Sequence, residues 1–185
     1  MLPGGYKIRN QSCPHFLTLT AVEWVDVFTR QLYRDILLES LRHCQQHKGL
    51  LLHAWCIMSN HFHLVAAAKD KNLSAVLRDF KTFTSNQILK AIKNNQHESR
   101  RDWMLRIFSE HGQANCRNSR CQFWKQDNHP EELYSGTFIC QKIDYIHNNP
   151  VKAGIVLNAW DYLYSSARDY YTGRKCGLIE VDFLI

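Results

Sequence analysis

The segment SNHFHLV, residues 59–65, places two histidines one residue apart in an apolar run. Successive side chains of a strand point to opposite faces, so His61 and His63 share one face while Phe62 and Leu64 take the other. Two imidazoles aimed at one spot can hold a divalent cation, form a hydrogen-bonded polar pair, or lie on an exposed sheet face. The stretch by itself leaves all three readings open. A second constellation lies in CQKIDYIHNNP, residues 140–150. Ile139, Ile143 and Ile146 recur at helical spacing, and Gln141, Tyr145 and Asn149, each four residues apart, line the opposite face. A tyrosine on that face, one turn before an amide, is either an ordinary surface residue or a reactive hydroxyl. A third set, His111, Cys116, Cys121 and His129, fits no common zinc module.

These residues need elements to position them. HFLTLTAV, 15–22, alternates apolar and polar residues and predicts a strand. From Phe28 the apolar positions Leu32, Ile36, Leu41 and Cys44 predict a helix that stops near Gly49. LLLHAWCIM, 50–58, is apolar on both faces, the pattern of a central strand. Ser59 and Asn60 supply a turn, and HFHLVAAA runs back as the partner strand, so the histidine pair opens the second arm of a hairpin. Leu73, Val76, Leu77, Phe80, Phe83, Ile88, Ala91 and Ile92 predict a long amphipathic helix whose other face carries Arg78, Lys81, Gln87 and Lys90. Residues 94–121 are polar and weakly periodic, and 96–121 are expected to form an inserted loop. QFWKQD reads as a short strand or extended segment. A last helix is expected over 136–149, ended by Pro150. The order suits an α+β fold: a ferredoxin-like antiparallel sheet with helices on one face. One domain over 1–185 is expected, with its core at about 15–171 and a C-terminal tail at 172–185.

Composition narrows the function classes. Hydrophobic residues make up 45% of the chain, enough for an ordinary core, and 23 Lys and Arg against 17 Asp and Glu give a charge of +6. Between Arg78 and Lys125 there are 10 Lys and Arg against 4 Asp and Glu, so this stretch alone carries an excess equal to the net charge. Such clustering favours a polyanionic partner, nucleic acid first. The seven cysteines are scattered without a CxxC pair, and no apolar run is long enough for a membrane span. A reducing, cytoplasmic setting is the corresponding expectation.

WCIMSNHFHLV resembles the histidine–hydrophobe–histidine motif of the single-tyrosine HUH transposases. DYIHNNPVKAGIV followed by DYLYSSARDY resembles the signature of their REP-associated tyrosine transposase subgroup. LRDFKTFTSNQI and FWKQDNHPEEL are similar to further family segments, in the family's order, so the likeness spans most of residues 15–171. Ser59 stands where the family usually has proline, and the 96–121 stretch is longer than the family core.

The resemblance implies an HUH endonuclease fold and an enzyme that cuts and rejoins single-stranded DNA by transesterification. Tyr145 would be the nucleophile, forming a 5′-phosphotyrosine intermediate and a free 3′-hydroxyl. That intermediate conserves the bond energy, and no Walker-type glycine-rich loop is found in the chain. A phenol, with an ordinary pKa near ~10, is a weak nucleophile at neutral pH. A divalent metal, Mg²⁺ or Mn²⁺, would neutralise developing charge, held by His61, His63 and Asn149. His147 and Asn148 are the local alternatives to Asn149, whose helical conformation Pro150 disfavours. Arg78, Lys81, Lys90 and Lys125 would bind DNA phosphates, and Trp103, Phe123 and Trp124 are candidates to stack bases. The implied partner is single-stranded or hairpin DNA of repetitive palindromic elements, bound by a monomer or homodimer, in a nucleoid-associated cytoplasmic protein with no membrane attachment. The rival from another class is a non-catalytic hairpin-binding regulator of the same fold. Hydrolases with a third histidine two residues on are a poor match, because Val65 occupies that position.

Overall fold

Alternation along His61–Ala68 decides how the molecule is layered. In a computed structural model, which describes residues 8–114, 120–173 and 177–184, this strand is β3. It pairs antiparallel with β2 (Leu50–Ile57) on one side and with β1 (His15–Thr20) on the other. A two-residue β4 (Glu131–Glu132) completes a four-stranded antiparallel sheet in the order β2-β3-β1-β4. Phe62, Leu64 and Ala66 of β3, with Leu17 and Leu19 of β1, face α1 (Gln31–His47) and α2 (Leu73–Asn94) in the main core. The opposite face presents Phe16, Ala54, Cys56 and Val65 to Ile143 and Ile146 of α4 (Gly136–Lys152). The fold is therefore α+β as expected. The expected helical layer on one face is α1 and α2, and α4 adds a layer on the other, where the histidines point.

Several elements differ from the sequence expectation for identifiable reasons. The stretch 94–121 contains a helix, α3 (Arg101–Gln113), in place of an inserted loop. Its buried residues are only Met104, Phe108 and Gly112, a stripe too narrow to stand out among polar neighbours. α1 begins at Gln31, with Phe28 in a preceding 3₁₀ turn, Val27–Thr29. α4 runs through Pro150 to Lys152. A proline in the last turn removes one backbone donor there, a small loss beside burial of the helix face. β2 is apolar on both faces without being central. Its outer edge is closed by the chain's own C-terminal region, where Ile57 N donates to Tyr164 O, Ser166 N to Trp55 O and Asp182 N to Leu52 O, each at 2.9 Å.

A buried ion cluster ties the start of α3 to α1. Glu98, whose side chain is fully buried, accepts from Arg30, Arg100 and Tyr33. Burial alone would raise its carboxyl, but hydrogen bonds from Arg100 and Arg30 outweigh this and hold it down to about 2. No helix among the described residues is long and apolar enough to cross a membrane.

Candidate active site

The antiparallel register sets Thr18 opposite His63 and Thr20 opposite His61. Thr18 Oγ1 lies 2.9 Å from His63 Nδ1. In the turn before β3, Asn60 Nδ2 donates to Asp26 Oδ1 at 3.0 Å, which orients the amide oxygen toward His61 Nδ1 at 2.7 Å. His61 Nδ1 therefore carries the proton, and Nε2 holds the lone pair. The rings are 4.6 Å apart, centroid to centroid. Burial lowers the pKa of both, and for His63, helped by His61 and Lys142, it falls to about 3. Both imidazoles are thus neutral at physiological pH, the state a ligand requires.

α4 brings the tyrosine to the same face. Its apolar side, anchored by Ile143 and Ile146, packs on the sheet, and Ser135 caps its start by accepting from Phe138 N. Tyr145 stands edge-on to His63, with centroids 5.4 Å apart, and edge-on to Phe16 at 5.7 Å. Phe16 in turn stacks on His63 at 5.5 Å. Tyr145 is 42% exposed, although two aromatic rings stand against it. Lys152 Nζ lies 5.4 Å from the Tyr145 ring centroid, and Lys142 Nζ lies 4.5 Å from that of Phe16 while pairing with Glu131 at 2.6 Å.

The residues suit a divalent cation. His63 Nε2 is buried and has no hydrogen-bond partner, a costly state for an imidazole nitrogen unless something coordinates it. Among the described residues no group of three or more His, Cys, Asp or Glu could hold a metal. The pair would therefore need oxygen ligands from an amide, water or phosphate. Asn149 sits one turn beyond Tyr145 and donates Nδ2 to the Tyr145 carbonyl at 2.7 Å, leaving its amide oxygen available. Of the alternatives, His147 is fully buried and bonded to Ser166 Oγ at 2.8 Å, whereas Asn148 makes the same kind of bond as Asn149, to Asp144 O one turn back.

The expected DNA-binding residues fall into different roles. Arg78 lines a cleft of about 860 Å³ between α2 and the segment after α3, together with Ser85, Gln122 and Lys125. Lys90 is exposed on α2. Lys81 departs from the open phosphate contact expected of it. Its ammonium donates to Lys125 O at 2.8 Å and Asn128 Oδ1 at 2.6 Å, and burial lowers its pKa to about 8. It holds the cleft wall together. Phe123 and Trp124 are core residues, Trp124 donating to Thr84 Oγ1, whereas Trp103 on α3 is 45% exposed. Lys125 Nζ lies 4.6 Å from the centroid of Trp24, whose ring stands edge-on to His61 at 5.9 Å. Of the third cysteine–histidine set, His111 pairs with Glu23 at 3.0 Å, and Cys116 lies outside the described residues.

Sequence reasoning missed Thr18, Asn60, Asp26 and Trp24. Alternation had put Thr18 on a polar strand face, but only register shows which histidine it meets. Nothing in the sequence around Trp24 points to the site.

A comparison with curated proteins finds no match. Among solved structures the chain resembles a REP-associated tyrosine transposase bound to a REP hairpin. The TM-score is 0.65 at 16% identity, covering 98% of this chain and 93% of the other, a likeness of fold. The family described as "Transposase IS200 like" matches residues 12–130, which include both histidines and end before α4. With more than half of its length matched, the chain belongs to the IS200-like transposase family.

Proposed function

We propose that the protein is a metal-dependent DNA transesterase that cleaves and rejoins single-stranded DNA beside hairpins, with Tyr145 as nucleophile. The observation that carries this reading is Tyr145 standing open to solvent against His63, whose Nε2 is buried without a partner. Tyr145 Oη attacks a phosphodiester phosphorus, forming an O–P bond as the bond to the 3′-oxygen breaks. The phenol loses its proton, and the departing 3′-oxygen gains one. Attack by a 3′-hydroxyl reverses the step, so no energy source is consumed. Lys152 and Lys142, close to the Tyr145 and Phe16 rings, favour negative charge on the phenolate and phosphate. His61, His63 and the Asn149 amide oxygen would hold Mg²⁺ or Mn²⁺, which supplies charge neutralisation at phosphate oxygens. Imidazole ligands suit Mn²⁺ at least as well as Mg²⁺.

Hairpin DNA of a repetitive palindromic kind is the proposed partner, by analogy with the fold neighbour's bound REP hairpin. Arg78, Lys90 and Lys125 would contact its phosphates. Action on such DNA corresponds to a cytoplasmic, nucleoid-associated protein. Incubation with hairpin DNA from beside the coding sequence, with Mn²⁺ or Mg²⁺, tests the proposal on a denaturing gel. A covalent protein–DNA band that requires metal and is lost in Tyr145→Phe is the expected result. Tight binding without that band, across several hairpins and both metals, would establish a non-catalytic binder instead.

A further inference from the structure

Trp24 is 54% exposed, and its place on the surface is held at some cost. Both it and Glu23 have left-handed backbones, with φ of 54° and 51°, a region that residues with a Cβ rarely adopt. The surroundings enforce this shape. Glu23 pairs with His111 at 3.0 Å, Ala21 N donates to Asn60 O at 3.0 Å, and Val22 N donates to Phe123 O at 2.9 Å. An indole presented this way beside His61, with the Lys125 ammonium over its ring, combines a flat apolar surface with a cation. That is the pairing an unpaired nucleotide uses, base on aromatic and phosphate on lysine.

Its position relative to Tyr145 fixes which nucleotide. Tyr145 meets His63 and Phe16, and Phe16 lies opposite Val65, so the tyrosine sits toward the Val65 side of the histidine pair. Trp24 meets His61, on the other side. In an in-line displacement the leaving oxygen departs opposite the attacking one. Attack that leaves a 5′-phosphotyrosine expels the 3′-oxygen of the preceding nucleotide, so that nucleotide lies on the His61 and Trp24 side. We infer that Trp24 stacks the base of the nucleotide bearing the departing 3′-oxygen and thereby sets where the strand is cut. The inference rests on reading Tyr145 and the histidines as a cleavage site.

The test uses hairpin oligonucleotides with a single-stranded 5′ flank, taken from beside the coding sequence, after the wild-type protein's cut position has been mapped. Trp24→Ala, or an abasic residue immediately 5′ of the cut, should each lower kcat/KM for adduct formation about 10- to 100-fold, the range of one base–aromatic stack. Combined, they should cost little more than either alone, and Trp24→Phe should retain most of the activity. In the uncut complex with Tyr145→Phe, 2-aminopurine at that nucleotide should be quenched, and adding Trp24→Ala should release the quenching. Trp24→Ala cleaving like wild type, independent losses that multiply, or quenching that survives removal of the indole would each overturn the inference alone. No adduct from the wild type on any hairpin would overturn the cleavage reading and this inference with it.

Discussion

Thr18 bonds to the histidine that touches the tyrosine, and neither it nor the His63 ring is free to turn without losing that bond. Outer partners of this kind orient ligating imidazoles and are worth about 10- to 100-fold in metal affinity. Thr18→Val keeps the shape of the strand and removes the hydroxyl. It should raise the Mn²⁺ concentration for half-maximal cleavage by about that factor, as measured in a metal titration. A second pair of changes separates binding from architecture on α2. Arg78→Ala should flatten the dependence of DNA affinity on log salt by about 0.9, the loss of one phosphate contact. Lys81→Met should leave that slope unchanged and lower the melting temperature, because its ammonium is spent on Lys125 O and Asn128 Oδ1. At this scale spacing put the histidine pair on one strand face and Tyr145 on a polar helix face but left their roles open, and the family resemblance supplied the roles. The sequence could not separate Arg78 from Lys81, which share a helix face but differ in what folds over them. The 120–128 segment that buries Lys81 is distant in sequence.

Long, strongly periodic elements were readable, and the β2–β3 hairpin and α2 lie where apolar patterning puts them. α3 was not, since three buried positions in thirteen residues give little periodicity. Its packing is nevertheless close. A methyl group on Gly112 would come within 2.5 Å of Cys121 Cα and 2.6 Å of Arg120 O, all backbone and unable to swing aside. Gly112→Ala should therefore destabilise the protein by about 1–3 kcal/mol in a denaturant titration. The cluster before α3 gives a pH-dependent counterpart. Its carboxyl has a folded pKa near 2 against an ordinary 4.5. The stabilisation is full above about pH 4.5 and fades as pH falls toward 2, where the folded state also takes up the proton. Glu98→Gln should cost about 3 kcal/mol at neutral pH, the lower end for a broken buried pair because both arginines still reach water. It should also weaken the acid-side loss, which thermal melts across pH would show.

At the scale of the whole molecule, the described residues leave little sheet edge for another copy. Beyond β2 the 164–166 segment and Asp182 use its backbone groups, with Asp182 Oδ2 also accepting from Leu52 N at 3.0 Å. At the other end β4 is two glutamates long, a short and charged edge of the sort that resists pairing. A monomer that works with its own tyrosine is the expected state. Mixing Tyr145→Phe with a His61→Ala/His63→Ala double variant should then give no covalent adduct. A shared active site would restore it, and light scattering would report a dimer. The sequence could suggest neither outcome, because which strand is an edge depends on where a distant tail docks.

Building the site from widely separated parts also has a kinetic consequence. The β2–β3 hairpin, which carries both histidines, joins neighbouring residues, whereas β1 reaches β4 and α4 reaches β2 across much of the chain. Long loops close late, since their entropy is lost before their contacts form. On refolding, helical signal should therefore return ahead of cleavage, because the proposed site is complete only once Tyr145 has docked beside His63.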